Sequence, residues 1–404
     1  MRRRRPARTL AATALAVAVL LPLTLGAAPA ATPAITTAAT AATADDDSAD
    51  DTRELSPELQ ARLDEAVQRV MREAGIPGVQ VGLWLPGQGR YLRAFGVADT
   101  ETGEPMTSRH HVRMGSETKT FTATAVLQLV DEGLVGLDDP IARYLDGVPG
   151  GEKIRVRDLL DMRSGLYDYT SDQDFVDAFL DDPQRVFKPA ELLAYGYRHE
   201  NAFAPGERFQ YSNTNYTLLG QLIERVSGRS LEDVVRDRVT GPSGLRNTLF
   251  PNGTGLPAPY AHGYSGKTSN GQVVDSTHWS PSSAWAGGEL ITDLHDLGRW
   301  AGDVATGTLL SPGTQAQRLD FLPTGIQGAG YGLGLFDING WVGHTGSLFG
   351  YESLAIHLPQ ERATLAVLLN TDVVTGNAEP STLLGQAITS IITPKHVYFI
   401  PLAP

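Results

Sequence analysis

Apolar positions first fall into a pattern at Leu59, Leu63, Val67 and Val70, the spacing of a helix with one buried face. Ser56-Pro57-Glu58 just before them reads as an N-cap followed by proline at the first helical position, and Gly75-Ile76-Pro77-Gly78 breaks the pattern. Val79 to Leu85 and Tyr91 to Val97 then read as two strands of a hairpin around Pro86-Gly87-Gln88-Gly89. From Ser116 to Glu132 the period is helical again. Phe121, Ala125 and Leu129 share a face with Val126 and Val130 beside it, and the segment is apolar nearly all round, which predicts a helix in the centre of the fold.

Residues 137 to about 285 carry mostly helical patterns and loops, for example Pro189 to Tyr195 and Tyr216 to Val226. From Gly288 helix and strand alternate, and Trp341 to Thr345, Leu354 to Leu358 and Thr364 to Leu369 read as strands with turns at Gly350 and Pro359. An α/β layer is therefore begun early, interrupted by a helical insertion and completed at the C-terminal end. A site is expected where the two parts meet.

The ends differ from this pattern. Arg2 to Arg5 and Arg8 precede an apolar run, Leu10 to Leu25, and Ala28-Pro29-Ala30 follows; residues 1–30 read as a secretory signal peptide. Residues 31–55, rich in Ala and Thr and then in Asp, read as a disordered linker. The expected division is thus one folded domain over 56–392 and a C-terminal tail over 393–404. Losing the five arginines of the leader would take the formal charge from −13 to −18. A secreted chain so acidic is ill suited to nucleic acid. There is no cysteine, so disulfides and thiolate chemistry are excluded, and the nine histidines show no metal-ligand spacing. Neither a metal nor a cofactor is expected.

Three short motifs supply chemistry. Ser116 and Lys119 stand three apart on the buried helix, hence on one face. A serine hydroxyl needs such a base or charge to become a nucleophile. Of five lysines only Lys119 has a serine three residues before it. Buried at the head of an apolar helix without partners, it would be costly. Tyr211 and Asn213 flank Ser212 in an extended loop and point the same way. Tyr211 would act as a base only if cations, with Lys119 and His344 as the candidates, depress its pKa; Asn213 can grip a substrate amide. His344-Thr345-Gly346-Ser347 is a strand with small residues, along which a substrate backbone can approach. The N–H groups of Ser116 and Ser347 are candidates for an oxyanion hole. No Gly-x-Ser-x-Gly elbow, Walker motif or dinucleotide glycine pattern occurs.

These residues together resemble the serine β-lactamase and D,D-peptidase (penicillin-binding) superfamily, in its branch with a Tyr-x-Asn second motif. Leu159-Leu160, Ser164-Gly165-Leu166-Tyr167-Asp168-Tyr169, Tyr211 to Tyr216 and Tyr331-Gly332-Leu333-Gly334 fit as well, so the resemblance covers residues 58 to 390. It implies a β-lactamase-like α/β (α+β) fold, an antiparallel sheet flanked by helices with a mainly helical inserted subdomain. It implies that Ser116 is acylated, that Lys119 holds its proton or steadies its alkoxide, and that Tyr211 relays a proton to the leaving amine. Asn213 would bind the substrate amide, His344 would be an electrostatic partner of Tyr211, and Thr345 and Ser347 would line the strand. Phe175 and Trp285 would wall the pocket.

His344 in place of the lysine of many relatives looks like the secreted D-alanyl-D-alanine carboxypeptidases. The function so implied is that of a monomeric secreted carboxypeptidase acting on small peptides or peptidoglycan stems, acylated by β-lactams, with no membrane span after cleavage. Two departures stand out. Met162 occupies a position where relatives often carry histidine, and no Lys or Arg lies between Gly334 and His344 to meet a terminal carboxylate. An esterase, a β-lactamase or an amidase acting on another D-residue is the alternative, and a non-catalytic binding protein on this fold a third.

Overall fold

The computed structural model describes residues 53–376 and 378–401. The proposed leader and nearly all of the linker, residues 1–52, lie outside the described residues.

Helix α1 (Pro57–Ala74) is capped by Ser56, whose hydroxyl accepts from the Leu59 amide, and is ended by Gly75 in the left-handed region at φ 68°. Its buried stripe of Leu63, Ala66, Val67, Val70 and Ala74 faces the sheet. The expected hairpin is β1 (Gly78–Leu85) and β2 (Gly89–Gly96). A two-stranded ribbon pairs β3 (Val112–Arg113) with the later β6 (Ile291–Thr292). A single 3₁₀ turn, Gly115–Glu117, then leads into α2 (Thr118–Asp131).

The helical insertion holds α3 (Val156–Leu160), α4 (Gln173–Asp181), α5 (Pro189–Gly196), α6 (Asn213–Ser227) and α7 (Leu231–Val235). A second ribbon, β4 (Tyr264–Ser265) with β5 (Val274–Asp275), follows it. After β6 come α8 (Leu294–Thr306), α9 (Pro312–Arg318), short strands β7 (Leu322–Pro323), β8 (Ala329–Tyr331) and β9 (Phe336–Ile338), then β10 (Trp341–Leu348), β11 (Tyr351–Leu358), β12 (Ala363–Leu369) and α10 (Pro380–Ile392).

Eight strands form one sheet in the order β2-β1-β12-β11-β10-β9-β8-β7, with every pairing antiparallel. The N-terminal hairpin is thus closed onto the last strand, with Val79 opposite Leu369 and Val81 opposite Val367. Helices α1 and α10 cover one face through Leu63, Val67, Leu384 and Ile388. Helix α8 covers the other through Leu294, Leu297 and Ala301. With both faces covered, β11 and β12 are buried along their whole length, and β12 reads as a nearly continuous apolar run.

The central position expected for α2 holds: Phe121 stacks on Trp300 at 4.1 Å, and the Thr124 hydroxyl accepts from the buried Arg318 guanidinium at 2.9 Å. Residues 396–400 of the segment set apart as a tail pack on the fold. The Trp341 indole donates to the His396 carbonyl at 2.6 Å, and Tyr398 is buried against α10, its amide held by the Thr389 hydroxyl at 2.9 Å.

Candidate active site

Ser116 sits in the 3₁₀ turn ahead of α2 rather than in the helix itself. The turn needs Gly115, which has φ 54° and lies against β10: a methyl group added to it would fall 2.6 Å from the Ser347 amide nitrogen. One added to Gly346 would fall 1.8 Å from the Met114 carbonyl oxygen. The two glycines let the Ser116 turn and the third motif touch backbone to backbone. The Ser353 hydroxyl, donating to the Met114 carbonyl at 2.7 Å, fixes the same contact. This juxtaposes the Ser116 and Ser347 peptide groups, and among the described residues the pairing of β10 with β9 stops at Gly343.

Lys119 is fully buried, and all three hydrogens of its ammonium have acceptors: Ser116 Oγ at 3.0 Å, Asn213 Oδ1 at 2.9 Å and the Gly287 carbonyl at 2.8 Å. Burial pulls its pKa from 10.5 to about 7, with the Asp168 carboxylate working the other way. The neutral amine is therefore well populated near pH 7, and it points at the serine hydroxyl. Its nitrogen also lies 4.9 Å from the centre of the Tyr211 ring.

Asn213, the first residue of α6, does not present its amide to an empty cleft. Its carbonyl oxygen accepts from Lys119, and its Nδ2 donates to Asp168 at 3.2 Å. Asp168 is buried and also accepts the Asn213 backbone N–H at 3.1 Å. Burial raises its pKa, against hydrogen bonds from Thr170 and Asn213 and the charge of Lys119. The chain Ser116–Lys119–Asn213–Asp168 locks the first two motifs together.

Two electrostatic expectations are corrected. Tyr211 hydrogen-bonds Ser116, but burial pushes its hydroxyl well above the ordinary tyrosine pKa, so no cation field holds it as a tyrosinate. His344 is not a charged partner. Burial, with Lys119 adding to it, pulls its pKa down to about 3. Its Nδ1 bonds the Thr345 carbonyl at 2.5 Å and so carries the hydrogen; Nε2, 3.2 Å from the Tyr331 hydroxyl, then accepts. The His344 and Tyr211 ring centres are 6.2 Å apart. Thr345 and Ser347 are half-buried, alternating with buried His344, Gly346 and Leu348.

The aromatic walls divide. Phe175 is packed among Tyr169, Phe187 and Tyr195 in a separate cluster and does not line the site. Trp285, at φ 36°, starts the 3₁₀ turn that turns the Gly287 carbonyl to Lys119; its ring lies on α6, where a methyl group at Gly220 would meet it at 2.7 Å. Met162 stands at φ 63° with its sulfur accepting from the Ser212 amide at 3.4 Å, which steadies the loop carrying Tyr211.

Reading the motifs gave no role to Asp168, Gly287, Tyr331 or Lys267, though Tyr331 too stood in a segment that fits the family. Asp168 lay inside a quoted segment, but nothing local marked its carboxylate as a partner of Asn213. Lys267, 80 positions from Ser347 in sequence, reaches the Ser347 hydroxyl at 3.3 Å. Among the described residues no group of His, Asp and Glu could hold a metal ion, and no helix is long and apolar enough to cross a membrane.

The D-aminopeptidase of Brucella anthropi is 31% identical over 317 residues, 76% of this chain; the chain spans 59% of that relative's length. A D-stereospecific amidohydrolase from Streptomyces sp. superposes with a TM-score of 0.74 at 32% identity, over 83% of this chain and 99% of that one. The D-amino acid amidase of Ochrobactrum anthropi SV3, solved with D-phenylalanine, gives 0.71 at 27% identity, over 84% and 98%. The beta-lactamase family model matches residues 63–387, and the chain is a member of that family, a serine hydrolase of the β-lactamase and penicillin-binding protein superfamily.

Proposed function

We propose that this protein is a D-stereospecific amidohydrolase that cleaves the amide bond following a D-amino acid residue through an acyl-enzyme on Ser116. The observation that carries the reading is the buried Lys119 amine, 3.0 Å from the Ser116 hydroxyl with a pKa brought down to about 7. The D-specific substrates come from the relatives, a D-aminopeptidase, a D-stereospecific amidohydrolase and a D-amino acid amidase.

In this mechanism neutral Lys119 takes the Ser116 proton as Oγ attacks the amide carbon. The oxyanion that forms is met by the Ser116 and Ser347 N–H groups. The C–N bond breaks as the leaving amine takes a proton from Lys119 by way of the neutral Tyr211 hydroxyl. Tyr211, too weakly acidic to stand as an anion, both donates and accepts in that passage. Water then attacks the ester by the same route in reverse. D-Alanyl-D-alanine carboxypeptidase action and acylation by β-lactams are narrower forms of this chemistry, and export through the N-terminal leader completes the proposal.

The test is hydrolysis of D- and L-phenylalanine amide by the purified protein and by Ser116→Ala. Cleavage of the D form alone, lost in the variant, is expected. Equal cleavage of both forms, or full activity in Ser116→Ala, would overturn the reading.

A further inference from the structure

Asp161 ends α3 with a carboxylate that the surrounding side chains leave unanswered. The residue is only 5% exposed, and its Oδ1 has no hydrogen-bond partner among the described residues. Three guanidiniums stand around it, each engaged elsewhere. Arg155 pairs with Asp158 at 2.8 Å and with Asp138 at 3.4 Å, and Arg157 pairs with Asp138 at 2.6 Å. Arg163 donates through Nη2 to the Pro323 carbonyl at 2.6 Å. Its Nε has no acceptor, although Arg163 is only 8% exposed. Burial and the charge of Asp158 push the Asp161 pKa from 3.8 to about 7, against the pull of Arg163, Arg155 and Arg157. A buried acceptor and a buried donor thus wait side by side, and each costs free energy until something meets it.

Both residues line one cavity of about 250 Å³, and none of the catalytic side chains belongs to its wall. Leu322 and Leu333 form its apolar side, and the exposed Asp320 stands at its rim. At about 30 Å³ per water it has room for roughly eight non-hydrogen atoms, too few for a peptide and enough for one small molecule. The charges of the wall balance, with Arg155, Arg157 and Arg163 against Asp158, Asp161 and Asp320. A simple cation would meet three guanidiniums and a simple anion would meet Asp161. A molecule carrying both charges answers both groups.

The wall is also rigid where it must be. The Asp161 amide is bonded to the Arg157 carbonyl at 2.8 Å. On one side of it the Leu160 carbonyl accepts from the Gly334 amide at 3.1 Å, and on the other the Met162 carbonyl accepts from the Gln210 amide at 2.9 Å. The carboxylate is therefore fixed before any ligand arrives, which lowers the entropic cost of binding.

We propose that this cavity is a second binding site, for the zwitterion of a small α-amino acid, with the ammonium on Asp161, the carboxylate on Arg163 and the side chain against Leu322 and Leu333. The site stands apart from Ser116 and does not depend on the reaction assigned there.

The experiment titrates the full chain calorimetrically with D-alanine and L-alanine at about pH 8, where the Asp161 carboxyl is ionised. Methylammonium and acetate, each carrying one half of the zwitterion, are expected to bind about tenfold or more weakly. Asp161→Asn keeps the shape of the side chain and should weaken alanine about tenfold or more. Leu322→Trp, at a position 39% exposed, should do the same by filling the cavity from its rim without touching a charge. Unfolding midpoints close to the parent's confirm that both variants are folded. No heat at tens of millimolar alanine means that solvent alone fills the cavity and overturns the proposal. So does alanine binding that survives both variants, which places the ligand elsewhere, or alanine binding no tighter than acetate or methylammonium.

Discussion

Lys119 and Asn213 lie 94 positions apart in the chain and are joined at 2.9 Å, the amine at the head of α2 held by the amide oxygen at the head of α6. The bond ties the central helix to the helical insertion and fixes the amine toward Ser116. Asp168 behind Asn213 adds a buried negative charge that tunes the lysine.

If neutral Lys119 is the base, kcat/KM for a D-amide should rise with pH through a midpoint near 7. Asp168→Asn removes the charge that favours the ammonium, so the midpoint should move to lower pH. His344→Asn should leave the midpoint in place, because His344 is already neutral across that range. A midpoint that follows His344 instead would sink this assignment; pH–rate profiles of the three proteins decide it.

Lys119→Met should reduce kcat/KM by about a thousandfold or more, since the serine loses its base. The same lysine makes stability pH-dependent. Its folded pKa, about 7, lies below the value of 10.5 in a solvated chain, so between these the unfolded state binds more protons. The parent should therefore gain stability relative to Lys119→Met as pH rises from about 7 toward 10.5, and the difference should be flat below 7. Urea unfolding of both chains across that range measures it.

Gly346→Ala should push β10 away from the Ser116 turn, because the added methyl group would lie 1.8 Å from the Met114 carbonyl oxygen. The expected outcome is a loss of about a hundredfold or more in kcat, with KM less affected, as for an oxyanion-hole defect. A backbone clash of this kind costs about 1–3 kcal/mol of stability, which thermal unfolding would show. Full activity in this variant would exclude the Ser116–Ser347 backbone contact as the oxyanion site.

Tyr398→Ala should destabilise the domain by about 3 kcal/mol, because the ring is buried against α10 and leaves a cavity when removed. An unchanged unfolding midpoint would show that the C-terminal segment does not belong to the folded unit.

The sequence determined the parts whose information is local. The Ser56 cap, the all-apolar helix behind Ser116, the hairpin and the last strands were legible because period and capping are short-range. So was the order of three motifs carrying Ser116, Lys119, Tyr211, Asn213 and His344. The packing of residues 396–398 was not legible, because Tyr398 is buried against α10 and Trp341 holds the His396 carbonyl, contacts with residues outside the segment's own neighbourhood.

Only the tertiary structure decided the electrical state of these groups and their partners. His344 is neutral because it is taken out of water, and the half-buried Tyr211 is hard to ionise because desolvation of its hydroxyl outweighs its bond to Ser116; both depend on everything packed around a side chain. Asn213 grips Lys119 and Asp168, Phe175 belongs to another cluster, and Lys267 arrives at Ser347 from a distant ribbon. A residue's type and spacing say what it can do; distance and desolvation, set by contacts far apart in the chain, decide which of those things it does.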